Sequence, residues 1–196
     1  MAYRVAVAVS GRGSNLLALV EALAADPVAE VVLVLSDRSA PALALAAARG
    51  VATHQLRDHR DAEEWLSVLH LAQVELLVLA GYLKLVPADL VRAMPGRIIN
   101  IHPALLPRYG GPGMYGYRVH QAVLTAGENF SGATVHLVDE VYDRGAILAQ
   151  RSVPVEPGDT AERLAARVLE LEHRLLPAVV KAAARAGHPL PLTELE

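Results

Sequence analysis

Short, continuous apolar runs alternate with stretches of helical character through the first hundred residues. The longest runs, at positions 31–35 and 76–80, have the length of a strand and are too short to cross a bilayer. Strands that are buried on both faces of a parallel sheet show this pattern, because helices cover each face. We therefore predict an α/β fold whose core is a doubly wound, mostly parallel sheet with four helical crossovers. The predicted strands are residues 4–9, 30–36, 53–56, 74–81 and 97–101, and the predicted helices are residues 15–25, 41–49, 61–71 and 87–94.

The pattern changes in the second half of the chain. Residues 107–116 are too rich in glycine and proline for regular structure, and they predict a surface loop that is either part of a site or a plain connector. Two further strands, expected at 133–138 and 146–155, should add to the sheet in antiparallel orientation. A long C-terminal helix should follow, with Asp159 and Glu162 at capping-box spacing at its start. Its core-facing stripe is expected to be Leu164, Val168, Leu171, Leu175 and Val179.

Composition excludes several kinds of chemistry. The 196 residues include no cysteine, so disulfides, thiolate metal sites and cysteine nucleophiles are excluded. Eighteen basic and twenty-one acidic residues give a net charge of −3 without a block of like charges, which favours neither a nucleic acid nor an anionic membrane as partner. The first predicted strand has no signal-peptide segment before it, so we expect a cytoplasmic protein.

A glycine-containing turn, Val-Ser-Gly-Arg-Gly-Ser-Asn, connects the first predicted strand to the first helix. Its glycines allow the backbone to approach an anion closely, and the free amides at the start of the helix attract negative charge. The turn therefore predicts a phosphate seat, although strand-to-helix geometry alone could also require glycine. The residues assigned to this seat are Gly11, Arg12, Gly13, Ser14 and Asn15.

Two other interpretations of this turn are a Walker loop and a dinucleotide-binding fingerprint. A Walker loop is excluded, because no lysine lies near the turn. A dinucleotide fingerprint is weakened by Leu16, where glycine or alanine is expected. Asp37, at the end of the second predicted strand, stands about where a ribose-binding acid belongs and keeps that alternative open.

The fifth predicted strand ends with an amide and an imidazole, Asn100 and His102. Side chains at positions i and i+2 of a strand point to the same side, so these two groups should converge on one small volume. Parallel strands end at the same edge of a sheet, so the pair should share a crevice with the glycine turn, where ligands bind in such folds. A structural pair that holds the next turn is the alternative, and we favour a functional pair.

Asp143 lies in the charged turn at residues 139–145. A carboxylate near His102 would raise the pKa of the imidazole and favour the imidazolium, which can stabilise a developing oxyanion. Spacing alone does not distinguish Asp143 from Asp139 or Glu140, and a solvated turn is the favoured alternative.

The remaining titratable residues carry weaker signals. Glu172 lies at the edge of the apolar stripe of the last helix, and the pattern favours a solvated helix face. Seven other histidines have no metal-ligand spacing, so we expect structural or surface roles and no zinc or iron site. These histidines are His54, His59, His70, His120, His136, His173 and His188.

Five segments carry a resemblance to a known family: VSGRGSNL, VLAGYLKLV, INIHPALLP, GATVHLVDEVYDRGAIL and LELEHRLLP. In order and spacing they resemble the phosphoribosylglycinamide formyltransferases, the 10-formyltetrahydrofolate-dependent enzymes of purine synthesis. Asn-x-His-Pro with a downstream Asp-x-Gly is specific to the wider formyltransferase superfamily, and Ser-Gly-x-Gly-Ser-Asn narrows it to the glycinamide ribonucleotide branch. The resemblance covers nearly the whole chain. It implies one Rossmann-like formyltransferase domain over residues 1–196, with a phosphate-binding half at 1–102 and a folate-side half at 103–196.

The resemblance also implies an activity and a role for individual residues. The activity is transfer of the formyl group of 10-formyltetrahydrofolate, a co-substrate, to the amine of glycinamide ribonucleotide, without a metal. The implied catalytic residues are Asn100, His102 and Asp143. The implied substrate contacts are Gly13, Ser14 and Asn15 at the phosphate, Pro103 beside the glycinamide and Glu172 at the ribose hydroxyls. The implied folate contacts are the wall formed by Lys84, Leu85 and Val86 and the pterin loop with Glu140, Val141 and Asp143.

The chain departs from the usual family pattern at three places. GGPGMYGYRVH stands where a Pro-Gly-Leu-His-like stretch is usual, so contacts of that loop are not carried over. Arg144 and Ala146 replace a commoner small residue and proline beside the implied catalytic acid. Lys84 stands where some members have arginine, and a lysine cannot make the same bidentate contact.

Several rival functions remain at this point. A formyltetrahydrofolate hydrolase shares the implied catalytic residues, but normally has an additional N-terminal regulatory domain. A methionyl-tRNA formyltransferase would need a C-terminal RNA-binding domain. A nicotinamide-binding oxidoreductase module could use Gly11, Gly13 and Asp37, and a nucleotide-binding sensor would have no catalysis. We expect small-molecule substrates as partners, no nucleic acid and no membrane, and we leave a homodimer open.

Overall fold

The structure, a computed structural model, describes residues 2–192, and these residues form one seven-stranded sheet with six helices. The strands are β1 (Tyr3–Val9), β2 (Ala29–Ser36), β3 (Ala52–Gln55), β4 (Leu76–Leu79), β5 (Ile98–His102), β6 (Phe130–Leu137) and β7 (Ile147–Pro154). The helices are α1 (Ser14–Ala25), α2 (Pro41–Ala47), α3 (Ala62–Leu71), α4 (Ala88–Ala93), α5 (Tyr117–Thr125) and α6 (Ala161–Ala186).

The strands are arranged in the order β3-β2-β1-β4-β5-β6-β7. The first five are parallel, whereas β6 is antiparallel to β5 and β7 is antiparallel to β6. The sequence prediction of a doubly wound, mostly parallel sheet with added antiparallel strands and a long last helix is therefore confirmed. The strand order reverses direction between β1 and β4, and crevices at such a point are where these sheets bind ligands.

Helices cover both faces of the sheet, which explains the continuous apolar runs. Val5, Val7 and Val9 of β1 belong to a core shared with α1, α2, α5 and α6. Ala6 and Ala8, which point the other way, belong to a second core shared with α3 and α4. Both sides of each central strand are thus removed from water, as a parallel sheet requires.

Helix α6 has the predicted apolar stripe, and all five predicted stripe residues are buried. The predicted cap is wrong: the N-cap is Thr160, whose side chain accepts a hydrogen bond from Arg163 N. Asp159 instead accepts from Glu156 N and from the Arg167 guanidinium, because it lies one residue too early for the cap position. Although α6 has 26 residues, neither it nor another helix within the described range is apolar enough to cross a membrane.

Helix α5 was absent from the sequence prediction. Its nine residues follow directly on a glycine-rich loop, and only Val119, His120 and Val123 are buried. Three buried positions in so short a segment give a weak helical period. The helix places His120 in the wall of the cleft described next.

Candidate active site

The carboxyl ends of β4 and β5 open into a cleft of about 840 Å³. Most of its lining residues come from these two strands, the segment after β4, the loop before α5, the turn between β6 and β7, and α6. The cleft therefore lies at the edge of the sheet that the sequence predicted for ligand binding.

Asn100, His102 and Asp143 meet in the wall of this cleft. Asn100 Nδ2 lies 3.4 Å from Asp143 Oδ1, and His102 Nδ1 lies 3.6 Å from the same oxygen. Asn100 Nδ2 also donates to His136 Nε2 at 3.1 Å. The two polar groups at the end of β5 thus point into one volume, and an acid from the β6–β7 turn approaches both.

Hydrogen bonding fixes the tautomer of His102. Its Nε2 lies 2.8 Å from the carbonyl oxygen of Tyr109, so Nε2 carries a proton and donates it, while Nδ1 faces Asp143. Burial lowers the pKa of His102 below its usual value, and the attraction of Asp143 offsets this only in part. The predicted effect of a nearby acid is present, since Asp143 raises the pKa of His102, but desolvation is the larger effect and the net shift is downward.

Asp143 is the only one of the three candidate acids in the turn that approaches His102 in the described residues. Asp139 accepts from the backbone amide of Val141, and Glu140 accepts from Arg92 Nη1 at 2.7 Å. Burial raises the pKa of Asp143, but the nearby His136 ring, the charge of His102 and the Gly111 amide together lower that pKa below its usual value. Asp143 is therefore a carboxylate at neutral pH.

Two glycines are required around Asp143. A Cβ at Gly145 would overlap the carbonyl of Leu137, which explains the glycine of the Asp-x-Gly motif. A Cβ at Gly110 would lie 2.5 Å from Leu106 Cδ2 and 3.0 Å from Asp143 Cβ. Substitution at either position would displace the turn or the loop that holds the carboxylate.

The glycine-rich loop at residues 107–116 belongs to the site. The Tyr109 carbonyl accepts from His102, and the Gly111 amide donates to Asp143 Oδ2 at 2.8 Å. Of the two interpretations of this loop, the structure supports the one that places it beside a site.

His136 and His120 line the cleft, although sequence spacing did not distinguish either residue. His136 stands directly opposite Asn100 in the antiparallel β5–β6 pair, and this pairing could not be derived from spacing along the chain. Burial, with a contribution from the charge of His102, lowers the pKa of His120 to about 4. His120 Nδ1 has no hydrogen-bond partner among the described residues.

The glycine turn joins β1 to α1 as predicted. Gly13 has a φ of 82°, and a Cβ there would lie 2.7 Å from the Cβ of Ala42, so glycine is required by packing and by backbone conformation. Gly11, Arg12 and Ser14 are exposed, and no side chain among residues 2–192 caps α1. The first amides of this helix are therefore available to an anion.

Asn15 is buried and connects the turn to α6. Its Nδ2 donates to Glu172 Oε2 at 2.9 Å, and its Oδ1 is buried without a hydrogen-bond partner in the described residues. The expectation that Glu172 lies on a solvated helix face is wrong, because packing of α6 against α1 leaves it only 6% exposed. Burial raises the pKa of Glu172 to about 7.

Asp37 does not lie in the cleft wall. Its carboxylate accepts from Ser10 Oγ at 2.6 Å and from Arg38 Nη2 at 2.6 Å. Ser10 Oγ in turn accepts from the amide of Leu83, so Asp37 supports the segment after β4. These contacts occupy the Asp37 carboxylate, which a dinucleotide site would need for binding the ribose.

The residues implied as folate contacts differ in their placement. Lys84, Leu85, Val86 and Val141 line the cleft, as does Pro103 on the substrate side. The side chain of Glu140 is directed to Arg92 instead. Residues 2–192 contain no group of three or more histidine, aspartate or glutamate side chains arranged to hold a metal ion.

A doubly wound sheet with an amide, an imidazole and a carboxylate beside a deep cleft at its carboxyl edge defines a protein of the Rossmann-like formyltransferase fold. The chain belongs to the formyl transferase family, whose model matches residues 3–180.

Named relatives agree with this assignment. The chain is 46% identical over 187 residues to "Phosphoribosylglycinamide formyltransferase, chloroplastic" of Vigna unguiculata, which covers 91% of this chain and 60% of that protein. The chain thus spans less than two thirds of the length of that relative. The crystal structure of phosphoribosylglycinamide formyltransferase from Brucella melitensis is 42% identical, with a TM-score of 0.83 and coverage of 99% of this chain and 100% of the other. The enzyme of the same name from Anaplasma phagocytophilum is 36% identical, with a TM-score of 0.87 and coverage of 95% and 89%.

Proposed function

We propose that this protein transfers the formyl group of 10-formyltetrahydrofolate to the amine of glycinamide ribonucleotide, a step of purine synthesis. The observation that carries the proposal is the approach of Asn100 Nδ2 and His102 Nδ1 to within 3.6 Å of Asp143 Oδ1 in the wall of one cleft. The names of the similar proteins support the same activity.

The reaction breaks the bond between the formyl carbon and N10 of the folate and forms a bond from that carbon to the substrate amine. The attacked carbonyl oxygen becomes negative at the tetrahedral stage. The Asn100 amide and the His102 imidazole are the donors for this charge, and such preorganised donors usually make the largest contribution to rate. The amine loses one proton and N10 gains one. Asp143 is the group placed to accept the proton of the amine and to pass a proton on to N10.

Proton supply to His102 is part of this proposal. Because burial lowers the pKa of His102 and its proton is on Nε2 in the structure, Nδ1 can donate to the developing negative charge only after it takes up a second proton, which comes from the attacking amine by way of Asp143. The Asp143 carboxylate favours that protonation from 3.6 Å.

The substrate side is assigned to the turn and to α6. The backbone amides at Gly11, Arg12, Gly13 and Ser14 would hold the phosphate at the start of α1, where Gly11, Arg12 and Ser14 are exposed. Pro103 would lie beside the glycinamide. The hydroxyls of the substrate sugar can form hydrogen bonds with two buried polar groups, the Glu172 carboxyl and Asn15 Oδ1.

The folate side is assigned to the segment after β4 and to the β6–β7 turn. Val86, Leu85 and Val141 give this part of the cleft apolar walls suited to a flat ring. Glu140 would contribute through its backbone, because its side chain bonds to Arg92. Lys84 is the cation available to the acidic end of the folate.

The proposal also covers the metal requirement, the partners and the location of the protein. The chemistry uses donors of the chain itself, with no step through a metal. Two small-molecule substrates are the proposed partners, without nucleic acid or membrane, in the cytoplasm, and a homodimer stays open. One domain spanning residues 1–196 likewise stays a prediction.

An acceptor-dependence assay tests the proposal. Purified protein is incubated with 10-formyltetrahydrofolate, with or without glycinamide ribonucleotide, and deformylation is followed by absorbance. We expect deformylation only with the acceptor, and none with the corresponding nucleoside that lacks phosphate. Deformylation without acceptor would indicate the hydrolase, and no turnover with binding of NADH would indicate the oxidoreductase alternative.

A further inference from the structure

A polar cluster lies behind the glycine-rich loop, on the side away from the cleft. Tyr109 Oη donates to Glu128 Oε1 at 2.7 Å, and the Arg108 guanidinium bonds to both oxygens of Glu128. The same guanidinium lies over the Tyr109 ring, 5.4 Å from its centroid. Glu128 belongs to the turn between α5 and β6, so the cluster ties the loop to the sheet.

The backbone of Tyr109 needs such support. Its φ is 57°, a left-handed conformation that is unfavourable for a residue other than glycine. The ring is partly buried against the main core and the hydroxyl is held by Glu128, so the side chain is fixed at both ends. The side chain therefore determines where the Tyr109 carbonyl points.

That carbonyl accepts a hydrogen bond of 2.8 Å from His102 Nε2. Nε2 must be protonated to make this bond, so Nδ1 is the nitrogen that faces Asp143 and the cleft. Two residues further on, the Gly111 amide holds Asp143. One short stretch of backbone thus holds both His102 and Asp143 in their orientations.

We propose that Glu128 is a positioning residue that acts through the Tyr109 hydroxyl to hold the Tyr109 carbonyl on His102 Nε2. The inference rests on the proposed function only in that His102 is the group whose orientation serves the reaction. Glu128 touches no substrate under this proposal. The Arg108 side chain is largely exposed, so its ion pair with Glu128 adds little to stability and its effect is one of orientation.

The test uses Tyr109→Phe and Glu128→Ala, with Glu128→Gln as the conservative variant that still offers an oxygen to the hydroxyl. Tyr3→Phe is the matched tyrosine control, because Tyr3 Oη is buried in β1 without a hydrogen-bond partner in the described residues. Glu30→Ala, at an exposed position of β2, is the matched acid control. Nitrogen-15 NMR of labelled histidine measures the tautomer and the titration midpoint of His102, assigned with a His102→Asn variant.

We expect Tyr109→Phe and Glu128→Ala to weaken the preference for the Nε2–H tautomer and to lower the midpoint of His102, because the donor loses its fixed acceptor. Turnover should fall about 5- to 50-fold with KM nearly unchanged, since a misplaced catalytic group costs rate rather than ground-state binding. The double variant should be no worse than the more affected single variant, and Glu128→Gln should restore part of both readouts.

Wild-type tautomer and titration of His102 in both Tyr109→Phe and Glu128→Ala would overturn the inference. Additive effects in the double variant would overturn the route through Tyr109. The NMR readout does not require turnover, so failure of the formyl-transfer assay leaves this test intact. A loss of folding in Tyr109→Phe leaves the decision to the two substitutions at Glu128, which is partly exposed.

Discussion

Asp143 Oδ1 lies 3.6 Å from His102 Nδ1, although the two residues are contributed by elements 41 positions apart in the chain. Both are held from behind by the same loop, through the Tyr109 carbonyl and the Gly111 amide. The separation is slightly longer than a hydrogen bond, so the two groups are close to each other but not hydrogen-bonded. Charge that develops in the cleft can draw the two groups together.

The first prediction concerns this pair. Asp143→Asn and His102→Ala should each lower turnover by two to four orders of magnitude, because each removes a group that acts on the reacting atoms. Asparagine suits position 143, since it tolerates the left-handed φ of 55° found there. Steady-state kinetics measure the effect, with thermal unfolding as a check that the fold survives. Near-normal turnover in either folded variant would refute these roles.

The second prediction concerns His136, which faces Asn100 across the β5–β6 pair. His136 Nε2 accepts from Asn100 Nδ2 at 3.1 Å and so directs the amide that would serve the oxyanion. His136→Leu should reduce turnover about tenfold, because it removes the acceptor. His136→Gln offers a carbonyl oxygen and should be less impaired. Equal turnover of the leucine and glutamine variants would show that the hydrogen bond does not matter.

The third prediction concerns Gly110. A Cβ at this position would lie only 3.0 Å from Asp143 Cβ and 2.5 Å from Leu106 Cδ2. Gly110→Ala should therefore lower turnover and the free energy of unfolding together, the latter by about 1–3 kcal/mol as in other overpacked sites. Leu106→Ala makes room on one side, so adding it to Gly110→Ala should cost less than the sum of the single effects. Additive effects on urea unfolding would contradict the steric explanation.

Most of the fold could be predicted from the sequence because it depends on local periodicity. Continuous apolar runs such as that of β4 indicate strands covered on both faces, and the stripe of α6 indicates a helix with one buried side. Helix α5 was missed because its few buried residues follow a glycine-rich loop. The cap of α6 was misplaced because two neighbouring residues, Asp159 and Thr160, are both suitable caps.

The site was less predictable because it depends on contacts between distant elements. Asn100 and His102 lie on one strand, so their convergence follows from strand geometry. His136 joins them through strand register, and Glu172 is buried through the packing of α6 on α1. The net direction of the His102 pKa shift was not predictable, because burial, the dominant influence on that pKa, has no counterpart in spacing along the chain.

The last prediction concerns the pH dependence of stability that Glu172 introduces. Its pKa is raised from 4.5 to about 7 by burial, with Asn15 as a partner that opposes the shift. Below pH 4.5 the carboxyl is protonated in the folded and the unfolded chain alike. Between that pH and about 7 the unfolded chain releases the proton while the folded chain retains it, so the free energy of unfolding falls as pH rises through this window.

Glu172→Gln removes this dependence. Its side-chain oxygen can still accept from Asn15 Nδ2, but it has no proton to lose. Between pH 5 and pH 8 the variant should therefore gain about 2–3 kcal/mol of stability relative to the unsubstituted protein, as measured by urea unfolding. Glu170→Gln, at an exposed position of the same helix, is the matched control and should show no such gain. Parallel pH profiles for the unsubstituted protein and Glu172→Gln would mean that the folded protein holds Glu172 ionised near its ordinary pKa.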